Sequence, residues 1–119
     1  MLNTSIIYLF VIVNGNYAGY MKLQREFQPE GHILESPVAL HRLYIKKEYQ
    51  GLGYGTRLIQ EAFGMARKEG FKYLWLGVWY QNLRAIQLYE RMGFEIFGNY
   101  LFIMGSIVSN DYLMKMPLE

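Results

Sequence analysis

Residues 49–63 read YQGLGYGTRLIQEAF, in which Gly51, Gly53 and Gly55 alternate with bulky residues and lead without a break into helical spacing. A glycine lowers the stability of ordered backbone by about 0.5–1 kcal/mol relative to alanine, so three of them in a row of alternate positions point to a backbone that something must approach closely. Downstream, Leu58, Ile59, Ala62, Phe63 and Ala66 recur as one buried helical stripe and predict a helix over Thr56–Lys68, with Gly70 where a C-terminal cap glycine belongs. Upstream, Val38–Ile45 (VALHRLYI) has strand character and starts after Pro37, which cannot donate to a ladder. Strand, glycine turn and helix in that order present free N–H groups and a helix dipole to an anion, and phosphate is the usual guest.

The flanks extend the pattern. Ile6–Val13 and Tyr17–Leu23 are β-branched and aromatic runs separated by Asn14-Gly15, the sequence signal of a type I′ turn, so residues 4–24 read as a hairpin. Gln28–Pro37 carries Pro, Gly and Ser and reads as a loop. Tyr73–Trp79 (YLWLGVW) reads as a buried strand. Asn82 is a good N-cap for a short amphipathic helix marked by Ala85, Ile86, Tyr89 and Met92 and ending at Gly93. Two closing strands, Phe94–Met104 and Tyr112–Met116, flank a polar turn expected over Gly105–Asp111. The order β-β-β-α-β-α-β-β, with no linker or repeat, predicts a single α/β (α+β) domain over residues 1–119.

Bulk properties narrow the function classes. With 119 residues, 52% hydrophobic and 18% charged, the chain has a globular composition and enough length for a core. A net charge of +2, scattered along the chain, gives no electrostatic reason for a nucleic-acid partner. The absence of cysteine removes disulfide scaffolds, thiolate metal sites and cysteine nucleophiles, and no metal site is expected. Ile6–Val13 is far shorter than the roughly 20 residues a membrane-spanning helix needs, and it lacks signal-peptide flanks, so the expectation is a cytoplasmic protein without a membrane partner.

Two familiar phosphate loops fail against the sequence. Gly55-Thr56-Arg57 has no lysine where a Walker A loop requires one, and Thr56 stands where a dinucleotide fingerprint has its last glycine. What remains is Gln50-x-x-Gly53-x-Gly55. Together with Asn82-x-x-Ala85-x-x-Leu88-Tyr89-x-x-x-Gly93-Phe94, it resembles the GNAT family of N-acetyltransferases over residues 38–94. The tail, Phe97-Gly98-x-Tyr100-x-Phe102-x-x-Gly105 and Asp111-Tyr112-x-Met114, is similar to bacterial spermidine/spermine acetyltransferases. Those relatives tend to carry histidine, aspartate and glutamine where this chain has Tyr100, Ile107 and Ser109, and losing that carboxylate weakens a polycation site.

The resemblance implies a mostly antiparallel mixed sheet flanked by two helices, and acetyl-CoA as cosubstrate. The pyrophosphate would rest on the backbone of Gln50, Gly51, Leu52, Gly53, Tyr54, Gly55 and Thr56. Leu43, Tyr44 and Ile45 occupy the strand positions whose backbone pairs with the pantetheine arm and the acetyl carbonyl. Tyr89 matches the general acid for the departing thiolate, Asn82 the cofactor-side asparagine, and His41 is a base candidate where relatives often place a glutamate. Each has a plainer alternative: Tyr89 as a core aromatic, Asn82 as a cap, His41 as a structural residue, the glycines as a tight turn. Arg57 is placed where it can reach a phosphate.

The strand and two helices with which the family usually begins are absent from this sequence. An N-terminally truncated copy would expose Ile6–Val13 as an apolar edge, so a homodimer through that strand is expected. Three functions stay open: an acetyltransferase acting on a small amine or polyamine, a CoA-binding remnant without turnover, and a peptide-modifying enzyme.

Overall fold

The computed structural model describes residues 5–118. Six strands and two helices follow one another as β1 (Ile6–Val13), β2 (Asn16–Arg25), β3 (Pro37–Ile45), α1 (Tyr54–Lys68), β4 (Tyr73–Trp79), α2 (Leu83–Arg91), β5 (Glu95–Met104) and β6 (Ile107–Pro117), with a 3₁₀ turn over Lys47–Tyr49. This is the expected element order. The strands form one sheet in the order β1-β2-β3-β4-β6-β5. Among the described strands only β3 and β4 pair in parallel, because α1 carries the chain back across the sheet between them. No helix among the described residues is long and apolar enough to cross a membrane.

Turn chemistry sets the two hairpins. Asn14 and Gly15 both adopt positive φ, at 50° and 82°, as the expected type I′ turn requires. The second hairpin corrects the sequence reading. Its turn is only Gly105-Ser106, since Met104 already pairs with Ile107, and Gly105 takes φ 61°. Ser109, Asn110 and Asp111 look like turn residues by composition, yet all three stay in the ladder opposite Phe102, Leu101 and Tyr100. An antiparallel hairpin tolerates such residues because part of its surface is solvated.

Burial divides the two faces of the sheet. The expected α1 stripe, Leu58, Ile59, Ala62, Phe63 and Ala66, is buried and packs with Ile86 and Tyr89 of α2 against Met21, Leu23, Val38, Leu74, Leu76, Val78 and Met114. Removing each such aliphatic side chain from water stabilises the fold by roughly 1.5–3 kcal/mol. Successive residues of a strand point to opposite faces, so Trp75 joins a smaller cluster on the other side with Leu34, Ala39 and Leu113. On that same side of the β1–β3 end, Tyr8, Phe10, Tyr17, Tyr20 and Tyr44 form a run of neighbouring rings, and Phe10 remains 61% exposed.

Close approach of β2 to β3 depends on Gly19. A Cβ there would lie 2.3 Å from the Tyr44 carbonyl oxygen, a backbone atom that cannot step aside. Gly19→Ala should therefore destabilise the protein by about 2 kcal/mol, read as a lower urea midpoint with an unchanged slope.

Candidate active site

The parallel pair is short. β3 and β4 share a ladder only where Pro37, Val38 and Ala39 face Tyr73, Leu74 and Trp75. Beyond Ala39, β3 follows β2 as far as the Ile45–Gly19 pair, while β4 follows β6 to the Trp79–Asp111 pair. The β2–β3 register slips between the Leu23–Leu40 and Lys22–Arg42 pairs, which leaves His41 as an extra, bulged residue. A bulge bends its strand. A wedge thus opens at the carboxyl ends of the two parallel strands, where open α/β sheets receive their ligands.

On the helix side of the wedge lies a cleft of about 500 Å³. Leu43 and Ile45 line it from β3, Gln50, Gly51, Gly53, Tyr54, Gly55 and Thr56 from the loop and first turn of α1, and Asn82 and Tyr89 from α2. Gly51 and Gly53 adopt left-handed φ of 78° and 88°, which only glycine takes without strain. Among the described residues, no group accepts from the N–H groups of residues 51–56. They are donors at a helix N-terminus with no partner, and an anion is what they fit. Gly55 is helical, and a Cβ there would meet only Leu43 Cδ2, at 3.8 Å. Nothing in the protein's own packing requires glycine at that position, although it lowers helix propensity by about 1 kcal/mol relative to alanine. The bare backbone keeps the cleft wall open.

Other side chains fix the rim. Gln50 Nε2 donates to the Ile45 carbonyl at 2.9 Å and ties the end of β3 to the glycine loop. Asn82 Oδ1 accepts from the Ala85 N–H at 3.2 Å, so its carbonyl caps α2 and its NH₂ group is left over. Tyr89 is 9% exposed with its ring edge-on to Phe94, and burial pushes its phenol above the ordinary value. It holds its proton at neutral pH.

Some side chains of the expected residues point elsewhere. The Tyr44 ring turns toward Tyr20, centroids 6.2 Å apart, with its carbonyl oxygen facing Gly19 of β2, and the Leu52 side chain is 64% exposed; neither side chain lines the cleft, although the Leu52 N–H belongs to the open loop. Arg57 lines a separate groove with Phe10, Ile12 and Glu61, because its place on α1 faces the β1 side. The cationic residues at the cleft are Arg84 and Arg91. With Leu88 they make an i, i+4, i+7 stripe on α2, a pattern visible in the sequence once that helix is known to border the cleft.

His41 lies across the sheet from Tyr89. It lines a second cavity of about 420 Å³, walled also by Phe27, Leu40, Trp75, Gly77, Tyr100 and Asp111. Its Nε2 is 2.9 Å from Gln24 Oε1 and its ring stands edge-on to Phe27 at 4.6 Å. Burial, and after it the Lys22 ammonium, holds the imidazole below its ordinary value, so it is neutral at pH 7. Leu40 packs in the helix-side core and also borders the second cavity. Cleft and cavity therefore approach β3 from its two faces at the bulge.

Residues 2–94 match the profile of the family described as "Acetyltransferase (GNAT) family". The chain belongs to the GNAT acetyltransferase family. Acetyl-CoA is the acyl donor of that family. An uncharacterized N-acetyltransferase of Lactobacillus delbrueckii subsp. lactis is 31% identical over 111 residues, covering 93% of this chain and 64% of that protein. A spermine/spermidine N(1)-acetyltransferase of Bacillus subtilis is 34% identical over 62 residues, covering 51% of this chain and 41% of that protein. Among solved structures, the PaiA N-acetyltransferase of Thermoplasma acidophilum in complex with coenzyme A superposes with a TM-score of 0.73 at 26% identity, over 95% of this chain and 61% of that one. This chain therefore spans less than two thirds of the length of these relatives.

A proton NMR titration of the imidazole should give His41 a midpoint below the ordinary 6.5. Lys22→Gln should move it upward only in part, because burial is the larger cause.

Proposed function

We propose that this GNAT chain binds acetyl-CoA in the 500 Å³ cleft and transfers the acetyl group to a primary amine by direct attack in a ternary complex. The observation that carries this reading is the set of unpartnered N–H groups over residues 51–56, arranged around two left-handed glycines at the start of α1. They hold the diphosphate, Arg84 and Arg91 add positive charge at the rim, and bare Gly55 lets the ligand lie against the helix. The open edge of β3 at Leu43 offers backbone groups to the extended arm, since the Tyr44 carbonyl faces β2, while Gln50 occupies the Ile45 carbonyl and holds the loop in place.

When bound, acetyl-CoA supplies the activated thioester. A backbone N–H of the bulged β3 segment stabilises charge on the attacked carbonyl oxygen. Tyr89, neutral and bordering the cleft, gives its proton to the departing thiolate. His41 takes one proton from the acceptor ammonium on the opposite face of the sheet, directly or through water, and the second proton, shed by the nitrogen as the amide forms, restores the Tyr89 phenol. An aliphatic ammonium with an ordinary pKa near 10.4 needs the first of these losses before it attacks. Because the sequence holds no cysteine, the acetyl group has no thiol on the chain to pass through. An amine acceptor is supported by the likeness to the Bacillus polyamine enzyme. Cytoplasmic location belongs to the same reading, and so does a homodimer through the sheet-edge strand β1, whose Phe10 and Ile12 stand exposed; light scattering that gives a clean monomer at micromolar protein argues against the dimer.

Calorimetric titration with acetyl-CoA, followed by thiol release across a panel of amines, tests the whole. Binding with no release from any amine would leave a CoA-binding remnant and remove the enzymatic reading. Tyr89→Phe should lower kcat about a hundredfold with the acetyl-CoA Kd unchanged, and an unaltered kcat removes the tyrosine from the chemistry. Gly55→Ala should keep or raise the Tm while weakening acetyl-CoA about tenfold, since the new methyl group meets ligand and not protein.

A further inference from the structure

The cavity across the sheet has a chemistry of its own. Phe27 and Trp75 stack at 6.2 Å, and Trp75 Nε1 donates to the Phe27 carbonyl at 2.7 Å, so two aromatic walls are locked together. The loop that carries Phe27 and Glu30 is pinned as well, because the Gln28 side-chain amide both donates to the Leu34 carbonyl and accepts from the Leu34 N–H. Tyr100 stands opposite Asp111 in the β5–β6 ladder and adds a third ring. The floor is Gly77, where a Cβ would touch only Asp111 Oδ2 at 3.8 Å and Leu113 Cδ2 at 3.9 Å. As at Gly55, the protein's own packing does not require glycine there.

Asp111 gives this cavity its charge. Among the described residues its carboxylate has no hydrogen-bond or ion-pair partner. Partial burial also holds it above the usual carboxylate value, so a cation placed beside it restores what desolvation took away. Glu30 contributes a second carboxylate at the same cavity. Aromatic faces with an unpaired carboxylate are complementary to an alkylammonium, through cation–π attraction and a charge-assisted hydrogen bond. Among the described residues, no lysine or arginine lines the cavity.

We infer that this cavity holds a second, non-reacting ammonium group of the acceptor, with Asp111 as the residue that selects small aliphatic diamines over monoamines. The inference rests on the proposed transfer to an amine and adds to it the class of acceptor. Ile107 stands where bacterial polyamine acetyltransferases tend to carry an aspartate. The fold returns a carboxylate from β6, at Asp111, and one from the β2–β3 loop, at Glu30.

The test compares 1,4-diaminobutane with n-butylamine, which has the same carbon chain and one ammonium fewer. The intact chain should show a KM at least about tenfold lower for the diamine, the discrimination expected of one charge-assisted contact. Asp111→Asn, which keeps the side chain's shape, should raise the diamine KM about tenfold and bring the two KM values together. Gly77→Ala, whose added methyl group meets only Asp111 Oδ2 and Leu113 Cδ2 at ordinary contact distance and otherwise projects into the cavity, should raise the diamine KM in the same direction without lowering the Tm. Equal KM values in the unmodified protein, an Asp111→Asn effect shared by both amines, or preferential acetylation of a lysine-containing peptide would each overturn the inference while leaving amine acetylation standing. Calorimetric titration of 1,4-diaminobutane separates the remaining case: binding that Asp111→Asn abolishes, with no turnover of any amine, upholds the cavity and removes the transferase reading.

Discussion

The separation of β3 from β4 after three shared residues is the constraint on which the rest depends. A parallel pair continued to the end of both strands would fill the space between them with hydrogen bonds. Here the bulge at His41 keeps β3 with β2, while β6 keeps β4 in line. The backbone groups left along the open edge are tolerable because they border clefts, and they do not lie in a packed interior. The same wedge brings the N-terminus of α1 to the mouth of the opening, so one geometric event supplies both an open strand edge and a set of unpartnered N–H groups, the two features on which the proposed acetyl-CoA site rests.

Two-sidedness follows. In a regular strand residues 41, 43 and 45 would share one face; the extra residue at the bulge breaks that period, so Leu43 and Ile45 line the cleft while His41 lines the second cavity. Partial removal from water shifts the phenol on one side and the imidazole on the other further toward their neutral forms, with Lys22 adding to the effect at His41. A phenol that has kept its proton and an imidazole that has not yet taken one are the protonation states that the proposed transfer calls for.

Glycine serves three physical purposes in this chain. At Gly51 and Gly53 it supplies left-handed backbone; at Gly19 it allows a neighbouring strand's carbonyl to approach. At Gly55 and Gly77 neither reason applies, and both positions border open volume. Sequence alone does not separate these classes, because the residue letter is the same and the difference lies in what surrounds the absent Cβ.

Local signals were sufficient for much of the fold. Asn14-Gly15 set a hairpin, the apolar stripe from Leu58 to Ala66 set α1 and its buried face, and Asn82 capped α2, each through interactions spanning a few residues. The glycine loop and the Tyr89 helix were legible as a pair because their spacing is local too. Contacts between distant segments were not legible. The extension of β6 back to Ile107 depended on pairing with β5, which outweighed the turn-like composition of Ser109, Asn110 and Asp111. Tertiary packing sent Arg57 to another groove and brought Arg84 and Arg91 to the cleft, since the rotation of each helix is fixed by what it packs against. It also moved His41 to the far face and gathered Phe27, Trp75, Tyr100 and Asp111 from four segments around one cavity. The sequence by itself determined which elements form and where a glycine loop leads into a helix N-terminus, because those rest on neighbours along the chain; the placement of His41 and Tyr89 on two faces was decided only when the sheet was assembled, because it rests on strand register and on one bulged residue.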